Sequence, residues 1–304
     1  MALNNPAFNN PAFQDPRAVQ TYPGGPQAAQ FGGATTASTS RAATDLASNA
    51  QLEGAFAAPP AGAIETGRMT VEDTVFKTLG LFAVLLVTAA VGWVWTMSTV
   101  TPANPSPNVL PWIIGMLGGF VLAMVVIFTS RKKIRPGLIL AYAAFEGLFV
   151  GGISAFFEML YPGIVLQATL ATLAVVGVTL ALFASGKIRA SKRATKIFMV
   201  AMIGYLVFSL VNLGLMFFGA PIAGGAFGLR STIEIAGIPL GVIIGVLVVI
   251  MAAYSLVLDF DSIQQGVRNG APRQYGWLGG FGIMVTVVWL YIEILRIIAI
   301  ARSQ

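Results

Sequence analysis

Ile238-Pro239-Leu240-Gly241-Val242-Ile243-Ile244-Gly245-Val246-Leu247-Val248-Val249-Ile250-Met251-Ala252-Ala253-Tyr254-Ser255-Leu256-Val257-Leu258-Asp259-Phe260 decides the class of this chain. The run carries no charge before Asp259 and exceeds the ~20 apolar residues a helix needs to cross hydrocarbon. It closes on Asp259-Phe260-Asp261. A carboxylate costs about 2.5–3.5 kcal/mol at the centre of a span and less toward the interface. Acids in such a place are candidates for a sensing or gating element. Two residues apart, they sit about 200° round a helix from each other. Asp259 then lies over Ser255 and Ser262 and faces inward, while Asp261 shares its side with Gln264 and Gln265 and looks to the headgroups. The plainer alternative is two acids capping the end of a span, an arrangement the helix dipole opposes.

The rest of the chain repeats the pattern. Of 304 residues, 56% are hydrophobic and only 10% charged, against about 25% charged in soluble domains. Seven apolar stretches reach spanning length, roughly 75–97, 109–129, 137–157, 164–185, 197–219, 238–260 and 276–300. Each must be a helix, because in lipid the backbone has to satisfy itself within the segment. The expected fold is an all-α polytopic membrane protein, with a seven-helix transmembrane domain over 67–304. Residues 1–66, rich in Ala, Pro, Gly, Asn and Ser, bury too little apolar surface to offset chain entropy and read as a disordered cytosolic tail. Thr70-Val71-Glu72-Asp73 has the form of a capping box and marks the first helix start.

Basic residues alternate between loops. They crowd 130–136, 186–196 and 261–275 and are scarce in 98–108, 158–163 and 220–237. The positive-inside rule places the basic loops and the tail in the cytosol of a cell (plasma) membrane protein, with the C-terminus outside. Basic charge confined to short loops does not point to nucleic acid. Glycine pairs at four-residue spacing, Gly115/Gly119, Gly147/Gly151, Gly237/Gly241/Gly245 and Gly276/Gly280, read as helix-packing sites.

Three further ionisable residues fall inside spans. Glu146 sits near the middle of the third and must face the interior, a water-filled cavity or a cation. On the seventh, Thr286, Trp289, Glu293 and Arg296 form one polar stripe. Glu293 and Arg296 either neutralise each other, or Arg296 pairs with Glu146 and leaves Glu293 free. Asn212 on the fifth span reads as an interhelical hydrogen-bonding residue. Cysteine and histidine are both absent, so proton sensing would fall to carboxylates. A serine-type intramembrane enzyme would lack its histidine base, and an aspartyl type needs Asp on two adjacent spans where only the sixth supplies it.

Arg135-Pro136-Gly137-Leu138 through Ala144-Phe145-Glu146-Gly147, then Leu258-Asp259-Phe260-Asp261-Ser262-Ile263, then Leu290-Tyr291-Ile292-Glu293-Ile294-Leu295-Arg296 together resemble the transmembrane Bax inhibitor motif family, in its bacterial branch, over residues 75–302. The resemblance implies six helices around a central seventh and a pH-sensitive calcium leak. It also implies a sensor of two Asp sharing a proton, one on the sixth span and one on the seventh. Asp259 matches the first, with Ile263 four residues on, and Arg296 matches the seventh-span Arg. Thr286 stands where the partner Asp belongs. The second-span acid that pairs with the Arg in some members is also missing, near Gly119. Arg131 matches a family Arg near the sensor and is a candidate partner for Asp259.

The expected function is therefore a non-enzymatic, pH-modulated cation leak, with Ca2+ as the ion and H+ as modulator. Asp259, Asp261 and Arg131 would form the gate or sensor, and Glu146, Glu293, Arg296 and Thr286 the interior latch. Carboxylates suit transient Ca2+, and no resident cofactor or metal is expected. The alternative is a non-transporting regulator or scaffold that holds other membrane proteins or proteases through its N-terminal tail. On the topology, a reporter that fluoresces only in the cytosol should stay dark when fused after Gln304. A bright fusion would reverse the orientation.

Overall fold

The computed structural model describes residues 67–219 and 227–303, so the expectation of a disordered tail over 1–66 lies outside the described residues. Five long helices come first: α1 (Val71–Met97), α2 (Leu110–Ser130), α3 (Pro136–Leu160), α4 (Ile164–Ala184) and α5 (Lys192–Phe217). A one-turn α6 (Leu229–Thr232) and a hairpin of β1 (Glu234–Ile235) and β2 (Ile238–Pro239) follow, then α7 (Leu240–Arg268) and α8 (Tyr275–Arg302). Seven of these helices are long and apolar enough to cross a membrane. Their outer surfaces carry exposed side chains such as Phe76, Leu86, Phe128 and Val200, which only a lipid environment makes acceptable.

Local chemistry sets the ends. Thr70 caps α1 by accepting a hydrogen bond from the Asp73 amide at 3.0 Å, as the capping-box spacing predicts. The sequence leaves Glu158 in a loop, but it lies in the last turn of α3. Its two carboxylate oxygens accept from the amides of Gly163 (2.6 Å) and Val165 (3.0 Å), which are orphan donors at the start of α4. Ala236 and Gly237, both with positive φ, form the two-residue turn of the β1–β2 hairpin. Gly237 is therefore a turn glycine and not the packing residue its spacing suggests.

The largest correction concerns α7. The apolar run ends at Phe260, but the helix continues to Arg268. Polar residues continue a helix readily once the backbone is already wound, so hydropathy marks the end of the apolar surface and not the end of the helix. Asp259 and Asp261 thus lie inside α7 and do not cap it.

Packing relies on small residues, as expected for helices in lipid. A Cβ on Gly147 would collide with Thr88 and the Leu85 carbonyl of α1, and one on Gly151 with Ala89. Gly92 of α1 presses on the Leu148 carbonyl, and Gly115 of α2 on Phe149. These glycines let α3 nest between α1 and α2. On the other side, Gly241 and Gly245 of α7 admit Ile300 and Ile297 of α8, while Gly276 and Gly280 of α8 admit Thr74 and Thr78 of α1. Half of the most apolar window is buried in both α3 and α8, but only 11% in α5. α8 packs on α7, α1, α4 and α3, so it is a central helix, and α3 shares that role. The first apolar core, around Leu81, Tyr142, Leu278 and Phe281, joins α1, α3 and α8. The second, around Ala168, Leu256, Leu290 and Leu295, joins α4, α7 and α8.

Overpacking a close helix contact costs about 1–3 kcal/mol. Gly151→Leu should therefore lower the melting temperature of the detergent-solubilised protein, whereas Gly204→Leu, which meets open space, should leave it unchanged.

Candidate functional site

The polar residues inside the spans gather along the seam where α7 and α8 run antiparallel. Residue numbers rise on one helix as they fall on the other: Gly241 faces Ile300, Gly245 faces Ile297, and Ile263 faces Gly279. Between these contacts Asp259, with 0% exposure, meets Thr286, with 4%. The Thr286 hydroxyl donates to Asp259 Oδ2 at 2.7 Å. Ser255, one turn earlier on α7, lies 3.4 Å from the Thr286 hydroxyl. The inward face assigned to Asp259 from helical spacing is thus the observed one. The residue standing in the position of the missing second acid is the one that touches it.

Asp261 is half-buried on another side of α7. Arg131 follows the last turn of α2 and is exposed. The ion pairs among the described residues are Lys77–Asp73, Arg273–Asp73 and Arg296–Glu293. Arg131 is in none of these pairs and lies at the surface, whereas Asp259 is buried between α7 and α8.

Two turns further along α8, about 10 Å away, lies a second cluster. Glu293, 2% exposed, forms the ion pair with Arg296 one turn on. Tyr205 of α5 donates from its hydroxyl to Glu293 Oε2 at 3.0 Å and accepts from Arg296 Nη2 at 2.6 Å. The first of the two sequence alternatives therefore holds: Glu293 and Arg296 neutralise each other, and Arg296 does not reach across to Glu146. Tyr205 closes the triangle, a partner that nothing in the apolar pattern of α5 marked.

Arg230 completes this cluster, from a connection that hydropathy marks only as a loop between spans. It lies in α6 and is 7% exposed. Its guanidinium stands 5.4 Å from the ring centroids of both Tyr205 and Phe208 and donates to Ser209 Oγ at 2.7 Å. Its Nε is buried without a hydrogen-bond partner. Aromatic faces offset part of the cost of burying this cation. Asn212 is a clamp on the same segment. It accepts from the Leu229 amide at 2.7 Å and donates to the Phe227 carbonyl at 3.2 Å. One bond joins α5 to the first residue of α6 and the other goes to the segment just before it.

Glu146 stands apart from both clusters. It lies beside Tyr142, one turn back on α3. Its Oε2 lies 3.0 Å from where a Cβ on Gly119 would be. The space left by the missing second-span side chain is therefore partly taken by the carboxylate of the third span. Among the described residues, no group of three or more acidic side chains is arranged to hold a metal ion.

Comparison with known proteins bears on this arrangement. No curated protein and no solved structure matches the chain. The profile of one family, described as Bax inhibitor 1 like, matches residues 5–303. That match takes in the N-terminal segment, which the sequence resemblance left out. A multi-pass membrane chain matched over nearly its whole length in this way belongs to the Bax inhibitor 1 like family.

Proposed function

We propose that the protein is a pH-modulated cation leak, with Ca2+ as the conducted ion and H+ as the modulator. The observation that carries this reading is the position of Asp259. It is a carboxylate with no exposed surface, inside a spanning helix and bonded to a hydroxyl of the neighbouring span. An intramembrane carboxylate is costly to keep and marks ion or proton pathways. In this reading Asp259 and Thr286 form the inner gate between α7 and α8, and the Glu293–Arg296–Tyr205 triangle is the outer latch between α8 and α5. Passage requires both to open, by parting α8 from α7 at the gate and from α5 at the latch. The glycine contacts along the seam leave few side chains to unlock. Asp261 and Glu146 provide further carboxylate oxygens on the way in, and Arg131 supplies positive charge at the basic-loop end. Ca2+ is held only transiently, by oxygen ligands and water.

A second reading has one observation of its own. The family match reaches into the N-terminal segment, which favours a role for that segment in holding membrane proteins or proteases. The two readings separate on deleting residues 1–66: a leak keeps its flux, whereas a scaffold loses its partners.

In proteoliposomes loaded with a Ca2+ indicator, the wild-type flux should vary with pH, and Asp259→Asn should remove that dependence. An unchanged pH profile would sink the gating role. Thr286→Asp sets a second carboxylate against the first. Like charges in contact share a proton and lose their protons in two separate steps, so the pH response of flux should broaden into two steps. Glu293→Gln, which unlatches Arg296, should raise basal flux several-fold at constant pH.

A further inference from the structure

α1 and α4 do not close on each other. A cleft of about 1090 Å³ lies between them, at the upper end of the ~300–1,000 Å³ that sites for drug-sized ligands occupy. It extends along α1 from Val71 to Val94, about 35 Å of helix and as long as the hydrocarbon layer is thick. Leu86 and Val176 line the walls, and Val287 and Tyr291 of α8 form the floor. Several polar side chains within are bonded by the protein itself. Thr78 and Thr172 donate to carbonyls of their own helices at 2.8 and 2.7 Å, and Ser154 bonds Tyr291 at 2.7 Å. The interior is lined mainly by apolar side chains.

One end differs. Gln264 of α7 lines the cleft at the basic-loop side. Its Oε1 accepts from Arg189 Nη1 at 2.9 Å and from Arg268 Nη2 at 3.0 Å. The Arg189 guanidinium also stacks 4.4 Å from the ring centroid of Phe183, another lining residue. Two guanidinium groups thus converge on a single neutral oxygen. Neither takes part in an ion pair among the described residues, nor does Asp261 one turn before Gln264. Both arginines are exposed. Their forked donors suit a phosphate, which would replace one shared amide oxygen by several charged ones.

An apolar slot as deep as a membrane, with a pair of arginines at its mouth, matches an amphiphile with an anionic head. We propose that the cleft between α1 and α4 binds one anionic phospholipid, its chains against Val176 and Val287 and its phosphate on Arg189 and Arg268. α7 then serves two faces at once, presenting Asp259 to the α8 seam and Phe260, Ile263 and Gln264 to the lipid. The inference does not rest on ion passage.

Native mass spectrometry of the full chain in mild detergent tests it, with phosphatidylglycerol and phosphatidylcholine of identical chains as probes. Wild-type protein should retain one phosphatidylglycerol at several-fold higher occupancy than phosphatidylcholine. Arg189→Gln with Arg268→Gln should bring the two lipids to the same occupancy. Lys132→Gln with Lys133→Gln, in another exposed basic loop, should leave the preference intact. Val176→Trp, which fills the cleft, should lower retention of both lipids, and the arginine pair decides the matter alone if that variant does not fold. Equal retention of the two lipids by wild-type protein would overturn the proposal. So would a preference that survives loss of both arginines, or one that falls equally with the lysine pair.

Discussion

A carboxylate with no exposed surface inside a membrane span must be met by a donor from the same protein, because hydrocarbon offers none. That requirement ties α7 to α8. Asp259 sits where the two helices face each other, and Thr286 supplies the hydroxyl. The glycines at Gly241 and Gly245 bring the two backbones together at the other end of the same seam, against Ile300 and Ile297. Helix association in lipid lacks a hydrophobic drive, so close packing and such bonds have to do the joining. The polar groups are thus at once the costliest part of the structure and the part that aligns it.

The two halves of the bundle use different means to the same end. α1, α2 and α3 lock through glycine and backbone contacts, with Leu85, Thr88 and Ala89 taking the place of side chains that α3 does not have. α5 is held mainly through polar contacts: Tyr205 to Glu293 and Arg296, Asn212 to the segment before α6, and Thr195 to Tyr254. A helix so little buried depends on those hydrogen bonds, and the outer cluster is therefore structural as well as a candidate latch. Arg230 shows the cost of that arrangement. A cation held by two rings and one hydroxyl is less well satisfied than Arg296, which has both a carboxylate and a phenol.

Membership of the Bax inhibitor 1 like family and the departures in this chain belong together. Where the resemblance leads one to expect a second acid at position 286, the chain has a hydroxyl that still bonds the first. Where it leads one to expect an acid near Gly119, the carboxylate of Glu146 reaches the vacated space from the adjacent helix. The chain keeps polar contacts at both places with a different distribution of charge.

Hydropathy alone determined that the chain crosses the membrane seven times and roughly where, because spanning length and the self-satisfied backbone leave no other solution. Helical periodicity also told which side of α7 Asp259 faces, since its neighbours at 255 and 262 follow from winding alone. The sequence could not tell that α7 runs on to Arg268, because a polar continuation costs nothing once the helix is formed. Nor could it choose Tyr205 as the partner of Glu293 and Arg296, or Ser209 as the partner of Arg230. Those bonds join residues from separate helices, and their formation depends on how α5, α6 and α8 rotate and slide against one another. Close packing at glycines sets that rotation for α3, α7 and α8, and polar contacts set it for α5; both exist only in the assembled bundle.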